Sequence, residues 1–215
     1  PFMMYLMHHA SRRDLDQFAR TAPRTPVADQ ATWRVLRRRW DLFRDALHHH
    51  HHGEDRWLWP LLESRCTSSE RAILSDMQAE HEVIDPLLTA CDDNFGQLAA
   101  GADDMVRHEL AVALRRTHRH LIDHLAHEEH DALALVQRHL SPQEWSDLEE
   151  KFGEDSSVRD LFRVAPWVIK GLDGDDRRQV GARVPAPVWL IARMCSPRLR
   201  AGDRHAFRYD PDATL

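Results

Sequence analysis

The sequence predicts an all-α protein, an up-down-up-down four-helix bundle with a C-terminal helical appendage. Three observations carry that expectation. Only 8 of the 215 residues are glycine, and runs of β-branched residues are scarce. Ala, Leu, Arg, Glu and Asp dominate, a composition that favours helix. Apolar residues recur three and four apart over long stretches, as on one face of a helix. Capping signals and prolines divide those stretches into segments with short connections.

The first helix is expected over residues 4 to 21, where Leu6, Ala10, Leu15 and Phe18 share a face and Pro23 ends the pattern. Thr25-Pro26 reads as the start of a second helix. Its stripe runs through Trp33, Leu36, Trp40, Phe43 and Leu47, and Pro60 is expected to kink or end it. Thr67-Ser68-Ser69-Glu70 has the form of a capping box and opens a third helix carrying Ile73, Met77, Ile84 and Leu88. Pro86 is expected to bend that helix. A fourth runs from about Asp103 to Leu140 on Leu110, Leu114, Leu121, Leu125 and Leu135. A second capping box, Ser141 to Glu144, opens a short fifth helix. From about residue 154, Pro, Gly and Asp punctuate two short apolar pieces, 161 to 172 and 188 to 195. The expected organisation is a bundle over 1–153 and an extension packed on it over 154–215.

Composition narrows the function. The net charge is −6, which gives no reason to expect nucleic acid as a partner. No apolar run approaches the roughly 20 residues needed to span a bilayer, so no membrane is expected. Pro1 to Met4 lacks a basic segment and cleavage site, so no secretory signal is read there. The three cysteines are isolated, which fits a reducing, cytoplasmic setting better than a disulfide framework. No phosphate loop, nucleotide fingerprint or Ser-His-Asp arrangement is visible.

Histidine is the outlier, with 16 residues and five of them consecutive from His48 to His52. Ligands on one helix share a face when they stand three or four apart. His50 and Glu54 are so spaced, as are His81 and Asp85, and His124 and Glu128. The first helix offers His8 or His9. A single histidine on an apolar face is usually an ordinary core residue, and a single His/Glu pair is often a surface pair. Four bundle helices each supplying such a group point instead to one shared metal site, because buried imidazoles and carboxylates are costly unless paired or coordinated. The set contains no thiolate, and mixed imidazole and carboxylate donors suit iron, manganese or zinc. Glu54 and Glu128, on different helices, can each bridge two ions, which makes a dinuclear centre.

The run His50-His51-x-x-Glu54-Asp55-x-x-Leu58-Trp59-Pro60, with His8 and Arg12-Arg13-Asp14-Leu15 before it, resembles a bacterial hemerythrin-like (HHE) domain. So do Glu80-His81-x-x-x-Asp85-Pro86 and His124-Leu125-x-His127-Glu128-Glu129 after it. The resemblance covers about residues 4 to 140. It implies two non-haem iron ions with an oxo or hydroxo bridge. It implies that His8 and His50 hold one iron, that His81 and His124 hold the other, and that Glu54 and Glu128 bridge them. It also favours His8 over His9. The chain departs from the pattern at Asp85, where oxygen-carrying hemerythrins place a fifth terminal histidine. That departure puts simple reversible oxygen carriage in doubt. Asp55 is an alternative acceptor for an imidazole N–H. One or two of His48, His49, His51 and His52 are candidate alternative ligands, since neighbours on a helix diverge by about 100° and cannot all face inward. His127 and His130 read as surface or supporting residues.

The expected function is a di-iron protein that binds or reacts with dioxygen, peroxide or nitric oxide in oxidative or nitrosative stress. The alternative is a module that senses or stores oxygen or iron without turnover. A homodimer built on the extension is a further expectation.

Overall fold

The computed structural model describes residues 2–154 and 157–212. The described elements are helical and no strand occurs among them. The first rod is α1 (Phe2–Thr21). The second is α2 (Gln30–Gly53), continued by a π-helical turn (Glu54–Leu58) and α3 (Trp59–Glu63). The third is α4 (Ser68–Ala100). The fourth is α5 (Asp104–His127), again continued by a π turn (Glu128–Ala132) into α6 (Leu133–His139). Each rod packs against two others in a closed ring: α1 on α2 and α5, and α4 on α2 and α5. Short connectors join the rods, as in an up-down bundle.

Local chemistry explains most helix ends. Thr67 and Glu70 form a reciprocal capping box, Thr67 N–H donating to Glu70 at 2.8 Å, and Ser141 and Glu144 form another. Gly101 closes α4 in the left-handed region at φ 111°, where a side chain would be strained. Two expectations need correcting. Thr25-Pro26 does not start α2; Asp29 does, its carboxylate accepting from the Thr32 N–H at 3.1 Å. The Pro26 carbonyl instead accepts from the Trp33 indole at 3.0 Å. Pro60 does not end the second rod, which passes from the π turn through Pro60 to Glu63.

The remaining elements are α7 (Pro142–Glu154), α8 (Val158–Val168), α9 (Gly174–Arg183) and α10 (Ala186–Ala206). α10 packs on α8 and α2, and α8 on α1. Trp167, Ile169, Val180 and Phe207 join the same apolar core as Phe18, Trp40 and Phe95 of the bundle. The Phe207 ring meets Phe18 edge-on at 5.2 Å. A second core, around Leu58, Trp59, Met77 and Leu133, fills the other end of the bundle.

Between the two cores lies a polar layer. Along α2 the order is Leu47 of the larger core, then His50, His51 and Glu54, then Leu58 of the smaller. Along α4 it is Met77, His81, Ile84, and along the fourth rod Leu125, Glu128, Ala132. No helix of the described residues is long and apolar enough to cross a membrane.

Candidate metal centre

The polar layer contains two groups of side chains whose donor atoms converge. His8, His50, Glu54 and Glu128 form one, and His51, His81 and His124 the other. All seven residues are buried. The His8 and His50 Nε2 atoms stand 3.1 Å apart, and the His81 and His124 Nε2 atoms 3.2 Å apart. Two metal–nitrogen bonds of about 2.1 Å at a right angle would hold their nitrogens roughly 3.0 Å apart. Glu54 reaches both groups, with Oε1 3.2 Å from His50 Nε2 and Oε2 3.6 Å from His81 Nε2. Glu128 Oε2 lies 3.0 Å from His8 Nε2.

Three imidazoles are oriented from behind. His8 Nδ1 donates to Glu129 at 2.8 Å, His81 Nδ1 to Asp55 at 3.0 Å and His124 Nδ1 to Glu80 at 2.8 Å. Each hydrogen bond leaves Nε2 as the lone-pair donor aimed into the layer. Asp55 directly follows Glu54, and Glu129 directly follows Glu128. Both bridging candidates open a π turn. The wider turn lets one carboxylate enter the layer while its neighbour reaches an imidazole on another helix. π turns of this kind recur at functional sites.

The donor set fits a cation. Both oxygens of Glu54, both of Glu128 and both nitrogens of His51 are buried without a hydrogen-bond partner among the described residues. Such groups are costly unless something coordinates them. Burial, together with the Glu128 carboxylate, pushes Glu54 well above the usual carboxylate range. Burial acts on Glu128 in the same direction, but the adjacent His8 outweighs it and holds Glu128 at about 2. Burial likewise opposes the charge on His8, which Glu128 and Glu129 nevertheless raise to about 9. Burial and the His8 charge push His50 down to about 3, and burial pushes His51 well down too. By itself the cluster balances its charge with protons, and a cation can replace them. A third convergence, Cys66, Glu70 and His139, is different in kind. There Glu70 is already held by Thr67, Arg138 and His139.

Six of the seven expected ligands, His8, His50, Glu54, His81, His124 and Glu128, lie in the layer. Asp85 does not. It is exposed on α4 and is absent from both groups, because α4 runs on through Pro86 with His81 and Ile84 turned inward. A fifth imidazole comes instead from His51, whose ring stacks on His81 at 4.0 Å and meets His124 edge-on at 5.3 Å. His50 and His51 diverge into the two groups, while His48 and His52 stack on each other at the exposed surface. The missed signal was the adjacency of His50 and His51, which reach different halves of a layer wide enough for both. On α1, His8 enters the layer and His9 is only half-buried, lying toward Gly171 of the extension. His127 supports Glu80 at 2.8 Å, and His130 is exposed.

Comparison with known proteins agrees with this geometry. The hemerythrin HHE cation binding domain matches residues 2–136. The zinc finger protein BRUTUS of Arabidopsis thaliana is 22% identical over 181 residues, which is 84% of this chain. The chain spans only 14% of the length of that relative. No solved structure matches the chain. With well over half of its length matched by that one family, the chain belongs to the hemerythrin HHE cation-binding domains.

Proposed function

We propose that the polar layer holds two non-haem irons and that the protein binds or transforms dioxygen, peroxide or nitric oxide there. The observation that carries this reading is the reach of Glu54, one oxygen toward each group of imidazoles. Such a pair of irons supplies electrons and open coordination positions to a small oxidant. The protein contributes the rest. Glu54 reaches both groups, Glu128 stands against His8, and Glu129, Asp55 and Glu80 hold three imidazoles in orientation. The apolar cores above and below keep bulk water away. The His51 side has three imidazoles, and the His8 side has two with Glu54 and Glu128. Asp85 lies outside the layer, and the departure from the oxygen-carrying pattern at that position argues against simple reversible oxygen carriage. The three free cysteines suit a reducing, cytoplasmic setting.

The test is metal analysis with an optical spectrum of the wild type, Glu54→Ala, Glu128→Ala and His51→Ala. The expected result is about two irons per chain in the wild type, loss of the charge-transfer absorption in both glutamate variants, and a weakened second iron in His51→Ala. Zinc alone, or wild-type iron content in the glutamate variants, would overturn the reading. Mixing the loaded protein with peroxide, oxygen and nitric oxide then separates turnover from storage.

A further inference from the structure

The extension encloses an apolar cavity of about 470 Å³ against α1 and α2. Its walls include Met4, Met7 and Ala46 of the bundle and Val164, Val180 and Trp189 of the extension, and His50 of the metal centre also lines it. The size is that of a small-ligand site. A second cavity, of about 600 Å³, lies between α9 and α10. It is lined by Arg177, Arg178, Arg193 and Arg200, with no acidic residue among its walls. Ile169 and Trp189 line both cavities, so the two meet there. Gly181 allows the junction: a Cβ at that position would stand 3.2 Å from the Trp189 ring.

Charge gives the pair of cavities a direction. From residue 177 to 208 there are eight arginines and one acidic residue, in a chain of net charge −6. Arg178 pairs with Asp175, but Arg193 and Arg200 have no carboxylate partner among the described residues. Like charges gathered in a concave wall concentrate a field that attracts an anion. Elsewhere the apolar cavity is bordered by Asp45, Glu149 and Asp160, with Arg163 3.9 Å from both aspartates. That border repels an anion.

We infer that the extension forms a binding site for a single-chain anionic amphiphile. Its phosphate or carboxylate head lies on Arg177, Arg178, Arg193 and Arg200, and its apolar chain fills the cavity beside His50. The chain gains from burial and the head from charge-assisted hydrogen bonds to guanidinium. The inference is independent of which metal the histidines hold.

The test is displacement of N-phenyl-1-naphthylamine fluorescence from the full chain, with all probes below their micelle concentrations. Competitors are dodecyl phosphate, dodecanol and dodecyltrimethylammonium. Dodecyl phosphate should compete roughly tenfold better than dodecanol, and the cation worst. The double variant Arg193→Glu/Arg200→Glu, changed only at exposed positions, should erase the advantage of the phosphate and still bind the fluorophore. Val164→Trp should lose the fluorophore and keep its helical circular dichroism. Equal competition by phosphate and cation, or an arginine variant identical to wild type, would overturn the site. Sedimentation with phosphatidylglycerol vesicles without capture of dodecyl phosphate would overturn it in favour of a bilayer surface.

Discussion

Two clusters of ionisable side chains are buried along α1, one at His8 and one at Asp14, about 9 Å apart on the helix axis. At Asp14, Arg39 bridges Asp14 at 2.5 Å and Asp203 at 2.7 Å, and Lys170 meets Asp203 at 2.5 Å. Arg13 adds a contact to Asp14 at 2.8 Å, and the Trp167 indole donates to its other oxygen at 2.7 Å. Each of the two carboxylates there faces two cations. At His8 five imidazole rings converge with two carboxylates, whose oxygens stand 3.0, 3.2 and 3.6 Å from imidazole nitrogens. Both clusters are buried, polar and built from several helices. The first sets fixed cations against carboxylates and joins bundle to extension, whereas the second is built of imidazoles and carboxylates that balance their charge only by holding protons, so it reads as a ligand site.

Substitutions can break that contrast. The largest expected effect is Glu54→Ala, which removes the carboxylate that reaches both imidazole groups and should abolish metal retention, while Asp14→Ala keeps wild-type metal content. Elemental analysis of both variants decides it. Next, Asp14→Ala strands the buried Arg39 and should cost about 3–5 kcal/mol in denaturant unfolding. Retention of full stability would show that the joint contributes nothing.

The Asp14 joint also has a pH signature. Burial works to raise the Asp14 carboxyl, but Arg39, Arg13 and Lys170 outweigh it and hold it below its ordinary value. The folded value is depressed, so its contribution is complete above the unfolded carboxylate range. It is lost as pH falls through the lower folded value. The stability gap between wild type and Asp14→Asn should therefore stay constant from neutral pH to about 5 and narrow in stronger acid.

A smaller effect is expected from Asp55→Ala, which frees the back of His81 and should weaken metal affinity about 10- to 100-fold with the fold intact. Titration against a competing chelator measures it. The smallest is Asp85→Ala, exposed and outside the layer, which should change stability by less than about 0.5 kcal/mol and leave metal content alone. A loss of metal there would return Asp85 to the ligand set.

Much of the layer was legible because helical spacing is local. His50 with Glu54, and His124 with Glu128, lie on one face of any α-helix, whatever packs against it. The places of His51, inside the layer, and Asp85, outside it, were less legible. The spacing argument treats each helix as a narrow stripe, and it therefore favoured Asp85 four after His81 and kept His51 only as one of several alternative ligands. A layer between four helices is wider than a stripe, and it takes His50 into one group and His51 into the other. The π turns at Glu54 and Glu128 have no sequence signature that spacing rules read, yet they set where Asp55 and Glu129 reach.

The sequence by itself determined the helical class, the capping boxes at Thr67 and Ser141, and the presence of an imidazole donor on each of the four bundle helices. These follow from periodicity and from contacts between residues a few positions apart. The tertiary structure alone decided that His51 supplies the fifth imidazole, that Asp14, Arg39 and Asp203 join the extension to the bundle, and that Trp189 stands between an apolar and an arginine-lined cavity. Those relations depend on the distances and rotations between helices far apart in the chain, which packing sets and local spacing does not encode.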